Sequence, residues 1–227
     1  MPRCLPTRLP VFLLACLPLI AGADPAAIPP AEPPATAEAA APAVPAPPRL
    51  AYGLLVKQGE KILFAPCRDR SYALLEDVSP GQTVTRGLQQ VGLNEGRKLY
   101  VELVGSVEGV ALKASGLNLA RADGRCQQPG GTEEHWRAGG QAPGWLLAAG
   151  SERVTLRHAD GSDHHWPARD LERQGAQVRF QARAGDERLE LHFDQALCAD
   201  PAAEAVFGWT ATVIHNDRTL RGCAWQR

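Results

Sequence analysis

Asp163-His164-His165-Trp166 sets two imidazoles side by side, flanked by a carboxylate and an indole, and this is a residue set that can hold a divalent transition ion. If the segment is a strand, His164 and His165 point to opposite faces, so they cannot both face one metal. His158, across the Asp160-Gly161 turn, can approach the same face as one of them. His158, Asp163 and His164 are therefore the candidate ligands of a surface copper or zinc site with at most three protein ligands. Against this, exposed hairpin histidines are commonly just solvated. His192 and His215 read as strand residues with a satisfied ring nitrogen.

Sulfur is the second chemistry. Of six cysteines, Cys4 leaves with an export signal, and Cys16 either leaves with it or carries lipid. The other four fall two in each half of the chain, and an even number in an exported protein points to disulfides. Pairing within each half, Cys67 with Cys126 and Cys198 with Cys223, is the simplest of the three connectivities. A thiolate metal site would want C-x-x-C spacing, which the sequence lacks. Also missing are a nucleophile elbow, a P-loop, a dinucleotide fingerprint and H-E-x-x-H. A non-enzyme without a cofactor is expected, although chain order alone does not define a catalytic triad.

Export is read from the first residues. Arg3 and Arg8 precede an apolar run, Leu9 to Ile20, that is too short for a permanent anchor. Ala21-Gly22-Ala23 suits ordinary cleavage, making residues 1–23 the signal peptide and Asp24 the new N-terminus. Leu13-Leu14-Ala15-Cys16 instead resembles a lipobox, with cleavage before Cys16, lipidation of that residue and attachment to the outer membrane. The first cut is preferred, because the second leaves the apolar Leu17 to Ile20 on the mature side. Residues 24–48 form an Ala/Pro tract that cannot build a core and reads as an extended linker.

The elements that must position these groups are short and β-rich. All tyrosines and lysines precede Gln127, and all tryptophans and histidines follow it, which argues for two domains, 49–128 and 129–227, joined at Gln127-Gln128-Pro129-Gly130-Gly131. The first half shows five strand-like runs, Leu50 to Val56, Ile62 to Pro66, Tyr72 to Leu75, Lys98 to Val104 and Leu117 to Arg121. Val84, Leu88 and Val91 stand at helical spacing after the third. Five strands with a helix at that place suggest a small closed barrel of OB type. The second half carries eight runs between Glu134 and Cys223, with tight turns at Asp160-Gly161 and Asn216-Asp217. It reads as an antiparallel eight-stranded barrel or sandwich, so the fold class is all-β.

Two resemblances follow from these residues. Tyr52 to Cys126, with Phe64-Ala65-Pro66-Cys67, a helix, Leu99 to Gly105 and a closing Cys126, resembles the C-terminal OB domain of the NlpE lipoprotein family. Residues 132–227 resemble a little-characterised family of bacterial envelope β-domains. There Arg137 to Trp145 fits an A-x-G-x-E-P-x-W pattern and Leu220 to Ala224 fits L-x-G-C-A. Ala142 stands where that pattern has Glu, and the Met and Tyr expected after Cys198-Ala199-Asp200 are missing, so no ligand role is carried over to them. These resemblances imply an envelope location and a non-enzymatic role linked to stress or surface-contact signalling.

With 24 basic and 25 acidic side chains there is no whole-molecule field to draw in nucleic acid, and an OB barrel that binds strands would need aromatics on a basic groove. The five tryptophans read as core rather than as a carbohydrate platform. The expectation is a periplasmic protein, soluble or anchored to the outer membrane, that binds or senses an envelope protein or small ligand. The alternative is an inhibitor of a hydrolase such as lysozyme. A cell-wall hydrolase and a metal-binding protein stand behind it.

Overall fold

A computed structural model describes residues 47–126, 133–168 and 171–227, which all belong to one compact unit, Val44–Arg227. The signal peptide, Cys16, nearly all of the Ala/Pro tract and the joint at Gln127–Gly131 lie outside the described residues.

The barrel is built from β1 (Arg49–Gln58), β2 (Lys61–Pro66), β3 (Ala73–Asp77), β4 (Lys98–Glu108) and β5 (Ala111–Arg121), with α1 (Thr83–Gln90) between β3 and β4. Neighbours pair antiparallel except β3 with β5, which run parallel, and β4 with β5 closes the ring in the order expected of an OB barrel. Leu55, Phe64, Leu99, Val101, Leu103 and Leu112 fill its interior. Helix α1 plugs one end with Val84 and Leu88, the residues whose helical spacing foretold it. Its first turn is satisfied from outside the helix. Asp77 accepts from the Thr85 amide at 2.7 Å, and the Ser79 hydroxyl accepts from the Val84 amide at 3.1 Å.

The rest of the chain makes a nine-stranded antiparallel sheet curled into a half-barrel. Its strands are β6 (Glu134–Gln141), β7 (Gly144–Gly150), β8 (Arg153–His158), β9 (Asp163–Pro167), β10 (Glu172–Gln174), β11 (Gln177–Ala184), β12 (Glu187–Asp194), β15 (Trp209–His215) and β16 (Arg218–Gln226). The order β10-β11-β12-β15-β16-β6-β7-β8-β9 is an up-and-down meander whose last strand returns to its first. Alternation is strict. Leu189, Leu191 and Phe193 in β12, and Trp209, Ala211 and Val213 in β15, face a core shared with Trp136, Trp145 and Trp166.

Between β12 and β15 the chain leaves this sheet. β13 (Cys198–Asp200) and β14 (Ala205–Phe207), joined by a tight turn at Pro201–Ala203, extend the barrel sheet, with β14 pairing onto β5. Gly208 carries the chain back. A Cβ there would lie 1.7 Å from the Leu117 carbonyl oxygen, so only glycine fits this crossing. Both disulfides pair as expected, Cys67 with Cys126 and Cys198 with Cys223.

Candidate functional site

The outer face of β4 and β5 is unusual for a small barrel, because it too is buried. Tyr100 pairs with Arg121 and Glu102 with Leu119 across the two strands, and all four side chains line a cleft of about 600 Å³. The facing wall is a row across the outer side of the curled sheet, Cys223, Gly139, Leu146 and Arg157, each paired in register with the next. Glycines at 139, 140 and 144 keep that wall open. Phe207 and Trp225, with ring centroids 5.0 Å apart, supply aromatic surface, and Leu146 stands 58% exposed.

Glu102 sits at the base of this cleft and is 3% exposed. It accepts from the Tyr100 hydroxyl at 2.9 Å and from the Asn118 amide at 2.7 Å. Asn118 also clasps the last strand. Its Nδ2 donates to the Gln226 carbonyl at 3.0 Å, and its Oδ1 accepts from the Gln226 amide at 2.8 Å. Burial pushes the Glu102 carboxyl up despite these hydrogen bonds and the nearby Arg227 and Arg121. Burial and the adjacent Glu102 likewise push the Tyr100 hydroxyl well above its ordinary range. The lining brings four guanidinium groups (Arg121, Arg137, Arg157, Arg227) together with two carboxylates, Glu102 and Asp200. Arg157 is committed to Asp163, and Arg137 to Glu134.

The histidines expected to hold a metal lie at one end of the half-barrel core. His158 ends β8, His164 lies in β9, and both take the inward phase of Val154, Leu156 and Trp166. Their rings meet edge to face, with centroids 5.5 Å apart. Asp163 does not join them. It takes the outward phase and accepts from Arg157 through both carboxylate oxygens at 2.7 Å, which holds its carboxyl below the usual range. His165 also points outward, 3.1 Å from the Thr155 hydroxyl. The third member is His215, placed in the sequence reading as an ordinary strand residue. It occupies the last inward position of β15, and its Nδ1 lies 3.3 Å from His158 Nε2. One nitrogen from each of His158, His164 and His215 falls within 4.8 Å of the other two. His192 stands apart, with its Nε2 at 2.6 Å from Glu190, as a satisfied strand histidine.

Sequence reasoning missed the cleft altogether. It is assembled from the outer faces of two sheets, and Tyr100 and Glu102 carry no local signal beyond alternation along β4. Compared with protein-family models, with curated proteins and with solved structures, the chain gives no match.

Proposed function

We propose that this chain is a non-enzymatic binding or sensing protein of the bacterial cell envelope, exported to the periplasm and either soluble there or attached to the outer membrane through Cys16. The observation that carries the reading is the cleft between barrel and half-barrel. Its aromatic and aliphatic walls suit an apolar body, and the guanidinium groups in its lining, two of them already paired with Glu134 and Asp163, supply donors for a polar end. Among the described residues its lining contains no serine, threonine, lysine or free thiol. Export is supported by the disulfides, which are compatible with an oxidising compartment. A cross-linked β scaffold with an open cleft is suited to recognition.

The reading is tested with anilinonaphthalene sulfonate, which joins an apolar body to an anionic end. Saturable fluorescence enhancement at one probe per chain is expected. Ala159→Trp places a large ring at the exposed rim of the cleft and should weaken probe binding at least tenfold without unfolding the protein. Equal binding by this variant and the unmodified chain would overturn the assignment of the cleft.

A further inference from the structure

We propose that His158, His164 and His215 bind one divalent transition ion of the Zn2+ class, supported by Glu187, and that the ion ties the β8–β9 edge hairpin to β15 across the mouth of the half-barrel. The site shares His158 with the lining of the cleft but does not rest on the cleft reading. Each imidazole is an inward residue at the same end of the sheet, His158 and His215 closing their strands and His164 near the start of its antiparallel one, so the arrangement follows from the alternation of three strands. The rings of His164 and His215 approach to 4.5 Å between centroids, although their strands are not neighbours in the sheet. The curl alone brings them together.

The donor geometry fits an ion. Two nitrogens bound tetrahedrally at about 2.0–2.1 Å from Zn2+ stand about 3.3 Å apart. His158 Nε2 and His215 Nδ1 are 3.3 Å apart. His164 Nδ1 lies 2.9 and 3.0 Å from the two carboxylate oxygens of Glu187. That contact keeps the proton on Nδ1 and leaves the Nε2 lone pair for a metal, which is the role of the carboxylate beside a ligating histidine. The same carboxylate is 4.0 Å from His215 Nε2, which also lies 3.5 Å from Asn216 Nδ2, while His215 Nδ1 faces His158. Trp166 provides an apolar floor, with its ring 5.3 Å from His215 and 6.0 Å from His164.

Three neutral imidazoles without a thiolate select zinc or copper over magnesium or calcium. Three protein ligands also leave a fourth position for water or an anionic group. The mechanical consequence concerns the sheet opening. β9 and β10 are the two ends of the strand order and share no ladder among the described residues, so an ion held by β8, β9 and β15 bridges one edge to the opposite wall. Binding to the folded chain alone then stabilises it by mass action.

The test uses the metal-free, disulfide-bonded chain titrated calorimetrically with zinc sulfate. Saturation at one ion per chain and a raised Tm are expected. His158→Gln and His164→Gln should each weaken binding at least tenfold. Glu187→Gln, with every ligand intact, should weaken it by about 10- to 100-fold. His165→Gln and His192→Gln should bind as the unmodified chain does. Because replacing the buried His215 endangers the core, Co2+ provides a readout on the unmodified protein, where the intense visible absorption of a four-coordinate site is expected. Failure to saturate at one ion, unchanged affinity in both ligand variants, or a six-coordinate Co2+ spectrum would each overturn the proposal.

Discussion

Burial holds Glu102 towards its protonated form, although the hydrogen bonds that its carboxyl accepts from Tyr100 and Asn118 favour the charged form. A carboxyl whose folded pKa lies above its unfolded value stabilises the fold below the unfolded pKa, and that contribution is lost as pH rises through the folded value. Glu102→Gln keeps the neutral shape, with Nε2 able to donate to the Tyr100 oxygen and Oε1 able to accept from Asn118. Urea unfolding at about pH 4 and about pH 8 should show the variant gaining on the unmodified chain as pH rises. A difference independent of pH would mean that the fold leaves the Glu102 carboxyl where it stands in the unfolded chain. The neighbouring histidines show how far residue-scale chemistry was legible. Alternation correctly separated His164 from His165, and the same alternation, extended by one residue, turns Asp163 away from His164. His215 shares the phase of Trp209, Ala211 and Val213, so its inward direction was readable. Its encounter with His158 and His164 was not, because that depends on the curl of the sheet.

Gly208 is the element-scale joint, where three residues of β14 on the barrel give way to β15 on the half-barrel. Its amide donates to the Asn118 carbonyl at 2.9 Å, and the Leu117 carbonyl occupies the space a side chain would need. Gly208→Ala must push this crossing off β5 and should cost about 1–3 kcal/mol, read as a lower urea midpoint. An unchanged midpoint would mean that β14 is loosely held. The long elements were plain in the sequence because each has alternation and a turn at both ends. All five barrel strands, α1 and the eight long strands of the half-barrel were expected, most within a few residues, though β5 begins at Ala111 and not at the expected Leu117. β10, β13 and β14 were not, since each is three residues long and too short for a period to show. β14 is a strand because β5 offers it an edge, a fact of tertiary structure rather than of propensity.

At the scale of the molecule, the Cys198–Cys223 bridge joins β13 of the barrel sheet to β16 of the half-barrel, whereas Cys67–Cys126 closes the barrel half on itself. With sequence separations of 25 and 59, loop closure assigns the bridges about 3.5 and about 4 kcal/mol. The inter-sheet bridge is not the sole connection. β14 on β5 and the Asn118 clasp on Gln226 also couple the sheets, so the Cys198→Ala/Cys223→Ala chain should lose about 3 kcal/mol and still unfold in one transition. The uneven aromatic usage supplies two probes for this. Tyr52, Tyr72 and Tyr100 belong to the barrel, and Trp136, Trp145, Trp166, Trp209 and Trp225 to the half-barrel. Tyrosine absorbance and tryptophan fluorescence should therefore trace coincident urea transitions in the unmodified chain and in the variant, with only the midpoint lowered. Separation of the two curves in the variant would show that the disulfide alone makes the sheets one cooperative unit. Separation in the unmodified chain would make residues 49–128 and 129–227 independently folding domains despite the strand they share.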